Sequence, residues 1–162
     1  MSGLKNLNHA SEQQARDLFH QCCASDAWVD LMTKARPYKT RHVLSVAADR
    51  YWQGLREEDY LQAFAGHPKI GDVESLKDKR LAAGEQSGIE LASEDVIHAL
   101  IQKNAEYEKK YGFIFIVYAT GKSAQDMLSL LQTRLHNSRE IELQLAVSEQ
   151  KKIFHKRLEK LL

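Results

Sequence analysis

One of the seven histidines in this 162-residue chain is placed where the backbone would hold its ring. His67 lies between Gly66 and Pro68, directly after a run with helical periodicity. Proline fixes its own φ and biases the residue before it away from the helical region, which predicts an extended or turn conformation at His67. Because an imidazole exchanges protons near neutral pH, this histidine is a candidate general acid or base. On these residues alone, a surface histidine in a loop is the commoner case.

Two charged residues, distant in sequence, are further candidates. Arg157 lies three residues after Phe154 and four before Leu161, at the edge of an apolar stripe. A buried arginine needs an anion because it keeps its proton, although an arginine that extends past such a stripe into water is more common. Glu85 lies in a segment of small residues. There a carboxylate is either simply solvated or able to orient a substrate and shift the pKa of a histidine.

Motifs for cofactors and metals are missing from the sequence. The HExxH, P-loop, GxGxxG and GxSxG patterns do not occur. The two cysteines, Cys22 and Cys23, are adjacent, unlike spaced zinc ligands or disulfide partners, which indicates a reducing compartment. A net charge of +1, from 23 basic and 22 acidic residues, gives no basic footprint for nucleic acid. We therefore predict no cofactor, no metal and no nucleic-acid partner.

Most of the sequence shows apolar residues at helical spacing, so helices are predicted to position these residues. One helix is predicted over 57–65, ending at Gly66. Six further helices are predicted to begin after residues suited to N-capping, which are Ser11, Ser25, Thr40, Ser93, Ser123 and Ser138. The pattern predicts an all-α single domain over 1–162, with about seven or eight helices.

Residues 113–118, Phe-Ile-Phe-Ile-Val-Tyr, form the one stretch with strand character. A lone strand has nothing to pair with, so we predict a buried extended segment near 113–119 that crosses the helical core. Its backbone N–H and C=O groups must find other partners, and a ligand rich in amides would supply some. Asn104, on the inner face of the preceding helix, is predicted to brace a loop by hydrogen bonds.

The sequence also predicts a cytoplasmic protein without a membrane partner. No apolar run approaches the roughly 20 residues that a membrane span needs. Residues 1–10 lack the apolar core of a signal peptide, and the final Glu-Lys-Leu-Leu lacks a Ser-Lys-Leu peroxisomal address.

Four segments, in order and at compatible spacing, resemble the 2-oxo-4-hydroxy-4-carboxy-5-ureidoimidazoline (OHCU) decarboxylase family. They are the Gly-His-Pro-Lys-Ile-Gly of 66–71, the Leu-Ala-Ala-Gly-Glu-Gln-Ser-Gly of 81–88, the Asn-x-x-Tyr…Gly-Phe-Ile-Phe of 104–115 and the Lys-Lys-Ile…Arg-Leu of 151–158. Arg36-Pro37-Tyr38 is similar to the family's early Arg-Pro-Phe. Each motif is weak alone, but together they cover nearly the whole chain. One departure is Ala82, where the family has a serine; its loss removes either a substrate contact or a helix cap of about 1 kcal/mol.

The resemblance implies an all-helical homodimer that decarboxylates OHCU to (S)-allantoin in urate degradation, without a cofactor. By position, His67 is implied to be the catalytic acid, and Glu85 and Arg157 complete the polar site. The residues implied to line the substrate pocket are Pro68, Ala82, Ala83, Gly84, Glu85, Gln86, Phe115, Ile116, Val117, Tyr118 and Ala119.

Several alternatives stay open. The chain is also compatible with a non-catalytic helical binding module, which would show an exposed apolar patch and no pocket joining the three polar residues. A drifted decarboxylase acting on another ureido or imidazolone acid would fit Ala82. For Arg157, a tight grip on the scissile carboxylate would stabilise the ground state, so we expect it chiefly to orient Glu85 or other polar atoms of the substrate.

Overall fold

The computed structural model describes residues 3–68 and 94–162. Within these ranges the chain forms eight α-helices and no strand, which confirms the predicted all-α class. The helices are α1 (Gly3–His9), α2 (Glu12–Cys22), α3 (Asp26–Lys34), α4 (Arg41–Gln53), α5 (Glu57–Ala65), α6 (Glu94–Tyr111), α7 (Ala124–Arg134) and α8 (Arg139–Leu161). No helix in the described ranges is long and apolar enough to cross a membrane.

The predicted N-caps explain where most helices begin. Ser11 and Gln14 form a capping box at α2, because each side chain accepts a hydrogen bond at 3.1 Å from the backbone N–H of the other. Side-chain oxygens of Ser25, Thr40 and Ser123 accept from the first turns of α3, α4 and α7 in the same way. The predicted cap Ser93 lies outside the described residues. Helix α1 was not predicted, since its seven residues bury only one side chain, Leu7.

The described residues fall into two compact units. Unit 1 contains α1 to α5 and the part of α8 from Gln150 onward; unit 2 begins at His67 and contains α6, α7 and the start of α8. Helix α8 therefore supplies residues to both units. The single-domain organisation stays a prediction.

The core of unit 1 is aromatic. Trp28 is fully buried in α3, and its ring centroid lies 5.9 Å from that of Phe19 and 5.0 Å from that of Phe154. Trp52 packs against the other side of Phe154 at 5.7 Å. The indole Nε1–H of Trp28 donates to the backbone oxygen of Ala48 at 3.1 Å, so its polar group is satisfied. This cluster fixes α8 against α2, α3 and α4.

Gly66 follows α5 at the predicted position, but for a different reason. Its φ of −75° lies in the right-handed region, so no left-handed C-cap is present. A Cβ built at Gly66 would lie 2.5 Å from the Cβ of Ala24. The glycine is needed because the methyl group of Ala24 approaches it closely.

Unit 2 is built on α6 and α7, with the segment 113–119 between them in sequence. Helix α6 ends at Tyr111, and Gly112 adopts a φ of +82°, a left-handed conformation that suits glycine. The rings of Phe113 and Phe115 then pack edge-on to Tyr107, with centroids 5.9 and 5.4 Å away. The predicted segment is confirmed as neither helix nor strand, and it is buried in part: Phe113, Phe115 and Ile116 are each no more than 5% exposed, whereas Ile114, Val117, Tyr118 and Ala119 are half-buried.

Candidate functional site

His67 lies where the sequence placed it, directly beyond the end of α5. The chain bends at this residue, and its side chain is half-buried, whereas Pro68 is exposed. The helix ends at Ala65, so the imidazole is carried by a short connection rather than by a helix. A proton donor in this setting has its backbone set by the proline and retains access to solvent.

Arg157 is exposed, which confirms the more common of its two sequence interpretations. It lies between the buried side chains of Phe154 and Leu158 and reaches the end of α2. There its Nη1 donates to the backbone oxygens of Gln21 at 3.5 Å and Cys22 at 3.3 Å. A cation is favourable at the negative end of a helix. The interpretation as an arginine buried in the stripe is wrong.

Part of the predicted pocket lies outside the described residues. This applies to Ala82, Ala83, Gly84, Glu85 and Gln86. The convergence of His67, Glu85 and Arg157 on one site therefore stays a prediction.

The extended segment is held by side chains rather than by a strand partner. The backbone oxygen of Ile116 accepts from Arg134 Nη1 at 2.7 Å, and the N–H of Tyr118 donates to Glu149 Oε1 at 3.3 Å. Lys122 Nζ donates to the Tyr118 oxygen at 2.8 Å. Five of the predicted pocket residues lie in this segment. Phe115 and Ile116 are buried, and Val117, Tyr118 and Ala119 are half-buried.

A buried polar network anchors this segment. Arg134 Nε donates to Glu142 Oε1 at 2.7 Å, and the Tyr107 hydroxyl donates to the same oxygen at 2.6 Å. Asn137 Nδ2 donates to Glu142 Oε2 at 2.7 Å. The guanidinium also lies over the ring of Phe115, 4.6 Å from its centroid. Arg134 and Glu142 are 7% and 0% exposed, so both charges are paired and hydrogen-bonded inside the protein.

The chemistry of this network is fixed by burial. Loss of solvation raises the pKa of Tyr107 well above its ordinary range, and its bond to Glu142 acts in the same direction. The phenol therefore stays a donor throughout the neutral range. Removing one member of a buried ion pair costs about 3–5 kcal/mol, because the other charge is left uncompensated.

Arg134 and Glu142 were not predicted from the sequence, although a signal for Glu142 exists. It lies four residues before Ala146 and eight before Gln150, which is the spacing of the buried face of α8. A carboxylate on that face requires a cation, and the last turn of α7 supplies one. Asn104 is buried as predicted, but its Nδ2 donates to the oxygen of Leu100 in its own helix at 2.9 Å, so this bond braces no loop.

One cavity, lined by residues between Asn6 and Leu18, does not coincide with any predicted site. It has a volume of about 570 Å³ and is open, and Asn6, His9, Gln14 and Asp17 are among its lining residues. None of the residues implied by the motifs borders it.

Comparison with known proteins assigns the chain to a family. The model of the OHCU decarboxylase family matches residues 8–159. A relative from Arabidopsis thaliana, uric acid degradation bifunctional protein TTL, is 31% identical over 150 residues, which are 90% of this chain and 46% of that protein. The uric acid degradation bifunctional protein of Bacillus sp. (strain TB-90) is 26% identical over 162 residues, which are 99% of this chain and 32% of that protein. The chain thus spans less than half the length of these two relatives.

Solved structures agree with this assignment. An OHCU decarboxylase crystallised in the presence of (S)-allantoin has a TM-score of 0.77 and 30% identity, covering 94% of this chain and 98% of that one. An (S)-allantoin synthase has a TM-score of 0.74 at 16% identity, which shows a shared fold. Because the family model covers nearly the whole chain, the protein belongs to the OHCU decarboxylase family.

Proposed function

We propose that this chain decarboxylates OHCU to (S)-allantoin in urate degradation. The observation that carries the proposal is the family match over residues 8–159. The solved relative with 30% identity, described as an OHCU decarboxylase in the presence of (S)-allantoin, supports the same substrate class. A fold alone would not suffice, because one fold hosts many activities.

The reaction can proceed on protein groups alone. Breaking the bond to the carboxylate releases carbon dioxide and leaves its electron pair on the ring carbon. The pair forms a double bond from this carbon, C4, to C5, and the C5=N bond of the ring, conjugated with the 2-oxo group, takes up the negative charge. The substrate itself thus provides the electron sink that a cofactor would otherwise supply. The protein must then orient the carboxylate out of the ring plane, stabilise the charge on the ring nitrogen and 2-oxo oxygen, and deliver one proton to one face of C5, while the C4 hydroxyl gives its proton to the ring nitrogen and becomes the carbonyl.

The backbone around Val117 is suited to hold such a substrate. Within residues 3–68 and 94–162, neither the N–H nor the C=O of Val117 is bonded to another group, while its neighbours Ile116 and Tyr118 are held by side chains. In an extended chain the N–H and C=O of one residue point to the same side. Such a donor–acceptor pair complements the N–H and C=O edge of an imidazolone or ureido group, and an N–H can also stabilise developing charge on oxygen.

We assign the proton transfer to His67. The carbanion needs a donor fixed on one face, because a proton delivered from one side makes the product chiral. Pro68 restricts the backbone of His67, and the half-buried ring keeps access to solvent for reprotonation.

Arg157 is expected to orient Glu85 or polar atoms of the substrate rather than hold the scissile carboxylate. Interactions that stabilise the carboxylate equally before and during its loss do not accelerate the step. Arg157→Ala is therefore expected to lower kcat with a smaller change in KM. A raised KM at unchanged kcat would assign Arg157 to uniform substrate binding instead.

We also propose a cytoplasmic homodimer. Cys22 and Cys23 are both buried and unpaired, which suits a reducing compartment. In unit 2, α8 exposes two apolar side chains one turn apart, Ile141 at 49% and Leu145 at 38%, which a second copy would cover. Light scattering should give about twice the 18.5 kDa mass of the chain. A monomer mass at all concentrations would contradict the dimer.

Circular dichroism with freshly generated substrate tests the proposed activity. Spontaneous decay gives racemic allantoin, so a chiral signal that grows faster than the background and in proportion to protein concentration is expected. No chiral signal with OHCU would contradict the proposal. In that case turnover of another ureido or imidazolone acid would indicate a drifted decarboxylase, and the absence of any turnover a binding module.

A further inference from the structure

We propose that Arg134 is a positioning residue for this reaction: its guanidinium, clamped by Glu142 and Tyr107, sets the direction of the Val117 backbone groups that meet the substrate. The inference rests on the proposed function, since it assigns the segment 115–119 to the substrate pocket. The network itself lies entirely among the described residues of unit 2.

Arg134 holds the peptide plane between Ile116 and Val117. Arg134 Nη1 donates to the Ile116 oxygen at 2.7 Å. The bond between these residues is trans, and in a trans peptide the C=O and N–H point in opposite directions. The grip of Arg134 on the oxygen therefore directs the N–H of Val117 away from the network.

The next peptide plane is held from α8. Glu149 Oε1 accepts the N–H of Tyr118 at 3.3 Å. By the same geometry, the C=O of Val117 points away from Glu149. Both polar groups of Val117 are thus oriented by side chains that need not contact the substrate.

Arg134 can hold this position because its own nitrogens are all engaged. Nε bonds Glu142 at 2.7 Å, Nη1 bonds Ile116 at 2.7 Å and Nη2 lies 3.4 Å from the Tyr107 hydroxyl. The planar guanidinium fork fixes these three directions relative to one another, which a lysine ammonium cannot do. At 7% exposure, Arg134 acts through the backbone rather than as a substrate ligand.

Two variants and one matched control test the proposal. Arg134→Lys keeps a charge beside Glu142 but loses the fork, and Tyr107→Phe removes one clamp while keeping its ring, in case the lysine variant does not fold. The control is Tyr111→Phe. Tyr111 is equally buried and its hydroxyl donates to the backbone oxygens of Arg134 at 2.9 Å and Asn137 at 2.7 Å, so its loss spares the guanidinium contacts.

Steady-state kinetics and amide hydrogen exchange are measured on all four proteins. Both network variants should lower kcat about 10- to 100-fold with KM within about twofold, since misplaced groups lose transition-state contacts. Exchange at the amide of Tyr118, whose N–H is bonded to Glu149, should be about tenfold faster than in the wild type. Tyr111→Phe should lower the urea midpoint about as much as the network variants do but leave kcat and this amide unchanged.

Failure of the positioning role and failure of the proposed function would give different results. Equal losses of kcat, or unchanged exchange, in the network variants and the Tyr111→Phe control would overturn the positioning role. An inactive wild type would overturn the proposed function, and the exchange comparison would then decide alone whether Arg134 orders this backbone.

Discussion

At the residue scale, the sequence identifies those side chains that are marked by their neighbours in sequence, and it misses those that are marked only by a partner on another helix. His67 is marked by its neighbour Pro68, and the stripe that places Arg157 is visible in the spacing of its apolar neighbours. Arg134 and Glu142 are different, because each is an ordinary charged residue until α7 and α8 bring them to 2.7 Å. Pairing between helices depends on the tertiary structure. The helical period of α8 indicates only that Glu142 is buried, and it does not identify the cation that pairs with it.

Gly66→Ala tests the close approach at the end of α5. The added Cβ would meet the Ala24 Cβ at 2.5 Å, so we expect a loss of about 1–3 kcal/mol in the free energy of unfolding, measured by urea denaturation. Gly54→Ala is the matched control, because Gly54 also follows a helix and its Cβ would meet nothing closer than 3.9 Å. Equal effects of the two substitutions would show that only the conformational freedom of glycine matters.

The buried cysteines give the pH dependence of stability a definite sign. Burial raises the pKa of Cys22 to about 11 and that of Cys23 to about 12, above the ordinary thiol value of 9.0. Because the unfolded thiols ionise first, their stabilisation is complete below pH 9 and is lost as the pH rises toward 11 and 12. The slope is at most about 1.4 kcal/mol per pH unit for each thiol.

Urea unfolding between pH 7 and pH 10 measures this effect. The stability of the wild type should fall more steeply above pH 9 than that of a Cys22→Ala, Cys23→Ala double variant, while the difference between them stays constant below pH 8. Parallel curves over the whole range would contradict the burial effect on the thiols.

At the element scale, capping chemistry made the helix boundaries predictable. Ser11, Ser25, Thr40 and Ser123 each begin a helix by accepting a backbone N–H, as their residue types and spacing predicted. The segment 113–119 could be predicted as extended from its residue types, but its anchors could not. Helix α1 was missed because it is short and buries one residue, so periodicity has too little length to act on.

Ser11→Ala and Ser123→Ala test the contribution of two capping boxes. Each substitution leaves backbone donors of a first turn without a side-chain acceptor, so we expect a loss of about 1 kcal/mol. Ser148→Ala, at an exposed position inside α8, should instead be neutral or slightly stabilising because alanine favours helix. Thermal denaturation of the three variants gives the comparison, and a loss at Ser148 equal to that at the caps would contradict the assignment.

At the scale of the whole molecule, the helical class was accessible because apolar periodicity and capping agree along most of the chain. The active site depends on a different kind of information. His67 and Arg157 are 90 positions apart in sequence and belong to different units, and no local pattern brings them together. Ordered family motifs at compatible spacing predict that long-range relation, and the family match over 8–159 shows the family to which the chain belongs. The convergence of the two residues stays a prediction.

The most direct test of the central claim is the chirality of allantoin formed by the wild type and by His67→Gln. Both proteins receive freshly generated OHCU, and circular dichroism is recorded against the spontaneous reaction, with far-ultraviolet spectra as the check of folding. Glutamine keeps a polar side chain but cannot supply the proton, so the account predicts (S)-allantoin from the wild type and only the racemic background rate from the variant. Near-normal formation of (S)-allantoin by folded His67→Gln would contradict it.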